Sequence, residues 1–289
     1  FNPKWSHPDY PDGLAYFDTV HNCVIILGLN YFGELKKATL TLAWGIAARN
    51  GFVSCHGGLK IFRKDEGSDY VASFFGLSGS GKSTLTHAKH NGKYDIKVLH
   101  DDAFVVSKED GSSIALEPAY FDKTNDYPAD HPEQDFFVTV QNCGVTLDET
   151  GRKKLVTEDI RNGNGRTIKS RFSTPNRVDK IEEPIKAIYW IMKDDSLPPL
   201  VKVEDPVLAA TMGCTLMTKR SAAENTKENY QTLVIEPYAN PFRVYPLVED
   251  YQNFEALFQS GVDCYILNTG FYMGKGIPKE VTLDIIEHV

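Results

Sequence analysis

Phe75-Gly76-Leu77-Ser78-Gly79-Ser80-Gly81-Lys82-Ser83-Thr84-Leu85 fits the pattern G-x-x-x-x-G-K-[ST]. It directly follows Tyr70-Val71-Ala72-Ser73-Phe74-Phe75, an apolar run that reads as a buried strand. Strand, glycine-rich loop and helix in that order make a phosphate-binding loop. Glycines at 76, 79 and 81 let the backbone turn so that successive N–H groups point at a polyphosphate, while the next helix offers its positive end. Lys82 is placed to reach the β- and γ-phosphates, and the Ser83 hydroxyl to ligate a divalent cation. A flexible Gly/Ser linker is the other reading of such a stretch, but linkers seldom follow an aromatic strand at once.

Outward from this loop, composition narrows the class. With 289 residues and 42% apolar content the chain can bury a large core. Its net charge of −8, without a basic run, argues against sequence-independent binding to nucleic acid or anionic lipid. No apolar run approaches the ~20 residues that cross a bilayer, and nothing near the start resembles a secretion signal. The five cysteines, Cys23, Cys55, Cys143, Cys214 and Cys264, are odd in number and scattered, the pattern of reduced thiols in the cytoplasm. The chain opens Phe1-Asn2-Pro3-Lys4-Trp5 with no Met, as a piece of a longer protein would.

Residues 1–22, rich in Pro, Asp, His and aromatics, read as an irregular opening segment ahead of a domain over 23–289. Cys23–Leu27 is a short strand. Leu35, Ala38, Leu42, Ile46 and Ala47 give an amphipathic helix over Gly33–Arg49, stopped by Asn50-Gly51. Strands follow at Phe52–Cys55, Leu59–Phe62 and, after the loop helix, Ile96–Leu99. Ala103–Val106 and Ile114–Leu116 flank Asp110-Gly111 as a hairpin. Residues 122–184 are polar and offer one strand, Phe136–Val140. Ile188–Met192 is a core strand, Asp205 caps a helix running to Met217, Asn253–Gln259 is helical, Cys264–Leu267 is a strand, and Pro278 stands in the first turn of a last helix. Strands and helices mix without strict alternation, which predicts a mixed α/β fold rather than a regular doubly wound sheet.

A nucleotide loop of this kind works with Mg²⁺ and an acidic residue at the end of a neighbouring strand, and Asp101-Asp102 fits that place. Paired Asp after a strand also serves turns and caps. His56 ends a strand before Gly57-Gly58 and can project into a cleft, although a lone His is more often an ordinary satisfied residue. Lys36-Lys37 stand near a helix start, where cations are unfavourable unless something anionic is close. They read as a solvated face or as part of an anion or metal site. A lysine ligates metal only when neutral, and a nearby dication favours that form.

Taken together, these segments resemble the C-terminal, nucleotide-binding part of ATP-dependent phosphoenolpyruvate carboxykinase over most of residues 20–289. Tyr31-Phe32-Gly33-Glu34-Leu35-Lys36-Lys37 matches the family's Tyr-x-Gly-Glu-x-Lys-Lys segment, and Ser54-Cys55-His56 its Ser-x-His. The glycine loop from Phe74 to Leu85 is almost unaltered. Asp101-Asp102, a variant of Glu-x-x-x-Tyr-x-Lys-Thr from Glu117 to Lys123-Thr124, Leu197-Pro198-Pro199 and Asn268-Thr269-Gly270 recur in order. The chain departs from the family at His100 and Ala103, where Gly and Glu flank the acidic pair, at Phe271 in place of a tryptophan, and around Arg220 to Phe242.

The resemblance implies a phosphoenolpyruvate carboxykinase-like P-loop domain with mixed sheets and flanking helices, acting on oxaloacetate with ATP and two divalent metals. Gly76, Leu77, Ser78, Gly79, Ser80, Gly81, Lys82, Ser83 and Thr84 would hold the nucleotide phosphates, with Lys123 contacting them and Arg220 by the adenine. Lys37, His56 and Asp102, with Asp101 adjacent, would hold Mn²⁺, and Ser83 the nucleotide's Mg²⁺. Lys36 and Tyr31 would sit by substrate or CO₂. Arg171 would bridge substrate and the transferred phosphoryl group, with surface charge as the other reading of Arg171 and Arg220. The expected partners are small molecules only, with neither nucleic acid nor membrane, and the expected state is a monomer. This piece alone is expected to bind Mg-ATP with little carboxykinase activity. Two rivals stand beside this reading: a P-loop kinase of the protein-serine kinase/phosphorylase type, and a nucleotide-sensing module without catalysis.

Overall fold

The computed structural model describes residues 2, 4–29, 31–63, 69–77, 79–157, 165–219 and 233–289. They fall into two compact units, Phe1–Leu42 with Glu117–Arg177, and Ala43–Leu116 with Val178–Val289. In chain order come β1 (Leu14–Asp18), β2 (Cys23–Leu27), α1 (Phe32–Arg49), β3 (Phe52–Cys55), β4 (Gly58–Arg63), β5 (Tyr70–Phe75) and α2 (Lys82–His87). Then follow β6 (Asp95–His100), β7 (Phe104–Ser107), β8 (Ser113–Ala115), β9 (Tyr120–Lys123), β10 (Phe137–Gln141), β11 (Gly144–Leu147), β12 (Lys153–Val156) and β13 (Arg166–Lys169). The remainder holds β14 (Lys180–Ile181), β15 (Ala187–Met192), β16 (Leu200–Val203), α3 (Pro206–Cys214), β17 (Met217–Lys219), β18 (Leu233–Ile235), α4 (Leu247–Gln259), β19 (Asp263–Asn268), β20 (Phe271–Tyr272), β21 (Lys275–Gly276) and α5 (Lys279–His288). No helix among the described residues is long and apolar enough to cross a membrane.

The second unit is built on a six-stranded sheet ordered β16-β19-β15-β5-β4-β6. Its centre, β15, runs parallel to β5 and β19, while the remaining pairs are antiparallel, so the sheet is mixed. Every residue of β15 is buried. Its side chains alternate between two cores, as the two-residue period of a strand requires. Ile188, Trp190 and Met192 join Phe75, Ala209 and Phe254 on one face, and Ala187, Tyr189 and Ile191 join Phe74, Leu85 and Ile286 on the other. Helices α3 and α4 thus supply one face, α2 and α5 the other. A second sheet, β14-β8-β7-β3, contains the hairpin expected around Asp110-Gly111.

The chain passes between these two sheets three times, and two of the passages bear on the site. His56-Gly57 links β3 to β4, and Asp101 to Ala103 links β6 to β7. They run side by side because Cys55 pairs with Phe104 in one sheet and Leu59 with His100 in the other. The Gly57 N–H donates to the Asp102 carbonyl between them at 3.1 Å. Gly58 is required here, since a Cβ would lie 1.9 Å from Thr86 Oγ1 on α2.

The first unit corrects two expectations. Within 1–22, read as irregular, β1 pairs antiparallel with β2. The connecting turn is closed by a side chain: Asp18 Oδ1 accepts the N–H groups of Val20 and His21, each at 3.0 Å, a local bond that leaves no hydrophobic period to see. The span 122–184 holds not one strand but β10 to β14 and part of β9, including a three-stranded β10-β13-β9 sheet. One of its inner contacts is ionic rather than apolar. Lys169 Nζ lies 2.9 Å from Asp122 and 2.7 Å from Glu133, and donates to Tyr127 Oη at 2.6 Å.

Three helix boundaries also move. Helix α3 ends at Cys214, short of Met217, which belongs to β17 paired with β18. Helix α4 begins at Leu247 rather than Asn253, because buried Asp250, bound to Arg243 at 2.7 Å and Tyr245 at 3.0 Å, interrupts the apolar period. Pro278 is the N-cap of α5 rather than a residue of its first turn.

Candidate active site

The glycine-rich loop leaves the C-terminal end of β5 and returns into α2 at Lys82. Ligand crevices in open α/β sheets lie beyond this end of the parallel strands. Gly79 and Gly81 have φ of 77° and 108°, left-handed values that side chains rarely adopt. At Gly76 a Cβ would lie 2.4 Å from Ser80 Oγ and 3.0 Å from Ile191. The loop is closed by Ser80 N–H donating to the Leu77 carbonyl at 3.0 Å, and pinned to the end of β19 by Thr269 Oγ1 donating to the Ser80 carbonyl at 2.6 Å. Ser80 Oγ is buried with no hydrogen-bond partner, whereas Ser83 and Thr84 are exposed on the first turn of α2. Ser78 lies outside the described residues.

Lys82, His56 and Asp102 converge beside this loop. Lys82 Nζ donates to Asp102 Oδ1 at 3.2 Å and lies 3.5 Å from His56 Nε2. His56 Nε2 is itself 2.9 Å from Asp102 Oδ1. On its other side, His56 Nδ1 meets the Ala239 carbonyl. That carbonyl is aimed by two consecutive non-glycine residues in the left-handed region, Tyr238 and Ala239, with φ of 55° and 52°. The imidazole is held edge-on by Trp44 and Phe242, with ring centroids 5.7 and 5.6 Å away.

Both ring nitrogens of His56 therefore face oxygen acceptors. A neutral imidazole has one N–H, so one nitrogen would present a lone pair to an oxygen. A proton on the ring removes the conflict, and so does a cation that takes the Nε2 lone pair together with the carboxylate. Two donors at right angles on an octahedral cation, about 2.1 Å away each, stand roughly 3 Å apart, which the His56–Asp102 separation of 2.9 Å matches. Among the described residues no three His, Cys, Asp or Glu side chains gather as a metal site.

Asp101 and Asp102 take different partners. Asp101 is buried and faces His87, whose Nε2 is 3.5 Å from Oδ2. Burial pushes the Asp101 carboxyl up, but the hydrogen bond and charge of His87 outweigh it and hold the group well below the usual carboxylate range. His100, fully buried at the end of β6, accepts the N–H groups of Asp102 at 3.0 Å and Ala103 at 3.2 Å through Nδ1.

The remaining expected residues belong to the first unit. Lys36, on the first turns of α1, forms an ion pair with Glu117 and lies 4.9 Å over the Phe121 ring. Lys37 follows it, half-buried, and its carbonyl accepts Thr41 Oγ1 at 2.8 Å. Tyr31 is half-buried with Arg166 5.5 Å over its ring. Lys123 ends β9, and Arg171 begins a single 3-10 turn, Arg171–Ser173. Arg220 lies outside the described residues. Sequence reading did not single out the carbonyl of Ala239, the clamp of Trp44 and Phe242, or the acceptor role of His100. Only His100 left a trace, as a departure beside the acidic pair; the others depend on contacts between distant segments.

A family profile described as phosphoenolpyruvate carboxykinase matches residues 7–289. Phosphoenolpyruvate carboxykinase (ATP) of Aeropyrum pernix is 26% identical over 296 residues, covering 96% of this chain and 58% of the relative. The enzyme of the same name from Staphylococcus aureus strain Newman is 26% identical over 277 residues, 91% of this chain and 49% of the relative. The chain spans about half the length of these curated relatives. With a profile match running over nearly all its residues, the chain belongs to the phosphoenolpyruvate carboxykinase family.

Proposed function

We propose that this chain is the nucleotide- and metal-binding portion of an ATP-dependent phosphoenolpyruvate carboxykinase, which converts oxaloacetate and ATP to phosphoenolpyruvate, CO₂ and ADP. The observation that carries this reading is the meeting of Lys82, His56 and Asp102 beside a glycine-rich loop. Loss of CO₂ from oxaloacetate leaves an enolate, and its oxygen takes the γ-phosphoryl group of ATP. The work of the protein is then to place the two reactants and to balance negative charge.

The loop Gly76 to Thr84 offers its N–H groups to the phosphates, and Lys82 adds a positive charge beside them. Ser83 is the residue for the Mg²⁺ carried by the nucleotide. His56 and Asp102 are the residues for Mn²⁺, and Lys37 is assigned to that cation by family resemblance alone. When bound, the divalent cations neutralise charge on the phosphoryl oxygens. A proton on His56 Nδ1, held by the Ala239 carbonyl, would turn the Nε2 lone pair toward the side of Asp102, the usual arrangement behind a ligating histidine. Tyr31, Lys36 and Arg171 are assigned to the substrate side, and Lys123 and Arg220 to the nucleotide.

The full-length protein supplied with oxaloacetate, ATP and Mn²⁺ is expected to form phosphoenolpyruvate, and Asp102→Asn to lower kcat by about 100-fold or more. A full-length protein that binds ATP yet gives no phosphoenolpyruvate rejects the carboxykinase reading and favours a nucleotide sensor.

A further inference from the structure

His100 precedes the acidic pair Asp101-Asp102, and its buried ring accepts two backbone N–H groups of the turn that follows. We infer that His100 is a positioning residue for the cation site, setting the direction of the Asp102 carboxylate by accepting the N–H groups of Asp102 and Ala103. The inference rests on reading Asp102 as a cation-binding residue.

The geometry is that of a side-chain-closed turn. His100 is the last residue of β6, paired with Leu59 next to an irregularity in the ladder between Leu59 and Lys60. Its Nδ1 takes both N–H groups, at 3.0 and 3.2 Å, so that nitrogen carries no proton and the ring proton sits on Nε2. Acceptance of the N–H groups two and three residues ahead is the bonding of an Asx-type turn, here made by an imidazole. Both His100 and Ala103 are fully buried, so the Ala103 N–H has no route to solvent if that acceptor is lost. The Asp102 carbonyl is held separately by the Gly57 N–H at 3.1 Å. With its N–H and its C=O both fixed, Asp102 has only its side-chain torsions free, and these carry Oδ1 to within 2.9 Å of His56. A turn without the His100 acceptor would let the peptide between Asp101 and Asp102 rotate, and the carboxylate would swing with it.

The test exploits the two nitrogen positions of imidazole. In His100→Asn the amide oxygen occupies the place of Nδ1 and can accept the same two N–H groups. In His100→Gln the amide reaches one bond further and cannot. Mn²⁺ binding by the full chain is measured from loss of the free-ion EPR signal. His100→Asn is expected to bind within about threefold of the unsubstituted protein, and His100→Gln about tenfold or more weakly. Unchanged binding by His100→Gln overturns the inference, as does a folded His100→Asn protein that binds as weakly as His100→Gln. Should His100→Gln not fold, retention of binding by His100→Asn supports the inference and its loss overturns it. Absence of Mn²⁺ binding by the unsubstituted protein, or full binding by Asp102→Asn, removes the cation site itself and with it the role of His100.

Discussion

Lys60 shows how much one residue can hide. It lies in the middle of β4 yet is completely buried, its amine donating to the Leu85 carbonyl at 2.6 Å and to His90 Nε2 at 2.8 Å. His90 in turn bonds Glu287 at 2.9 Å, and Lys93 meets the same carboxylate at 2.6 Å. Burial pushes the Lys60 amine down to about 7, against the pull of Glu287. Because the folded-state value is below the unfolded one of 10.5, the unfolded chain binds the extra proton between these limits, and stability rises with pH across that window. Below pH 7 the whole cost, about 5 kcal/mol, is present. Lys60→Met is therefore expected to gain most over the unsubstituted protein near pH 6, with the gain shrinking by about 1.4 kcal/mol per unit from pH 7 upward. Urea unfolding at pH 6, 7, 8 and 9 reads this directly; parallel pH profiles for the two proteins would exclude it. Nothing in Leu59-Lys60-Ile61-Phe62 marks the lysine as buried, because the carbonyls that receive it come from α2.

Among the elements, α3 and the short turn Pro237–Ala239 are coupled through one glycine. A Cβ on Gly213 would stand 2.6 Å from both Trp190 and Tyr238, two of the largest fully buried side chains. Tyr238 stacks on Phe254 at 4.5 Å, donates to the Ala210 carbonyl at 2.9 Å, and precedes the Ala239 carbonyl that meets His56. Overpacking at such a contact costs about 1–3 kcal/mol. Gly213→Ala is accordingly expected to lower stability by that amount and also to weaken Mn²⁺ binding, though Gly213 itself touches no candidate ligand. Destabilisation with unaltered Mn²⁺ affinity would show that the turn absorbs the shift before it reaches His56. Helix α3 itself was legible from Asp205, whose side chain accepts the Leu208 N–H at 2.7 Å, whereas its coupling to His56 was not.

On the scale of the whole molecule, protection should follow burial on both sides of the mixed sheet. β15 is covered by two separate apolar cores and has strand partners on both edges, so its amides open only when the second unit unfolds. Hydrogen exchange is expected to be slowest at Tyr189–Ile191, tracking global stability, and fastest in the exposed β20 and β21. Exchange at Trp190 as fast as at Tyr272 would mean that the sheet opens locally.

The glycine-rich loop, the core strand Ile188–Met192 and the order of motifs around them were determined by sequence alone. Each depends on near neighbours: glycine tolerance of positive φ, a continuous apolar run, a cap three residues from the N–H it accepts. The strands within 122–184 escaped because ion-paired Lys169 and Asp122 carry no hydrophobic period. The pairing of His56 with Asp102 was decided only in three dimensions. It arises where two chain segments cross between the same pair of sheets, and strand register across long separations follows from packing that no local pattern encodes.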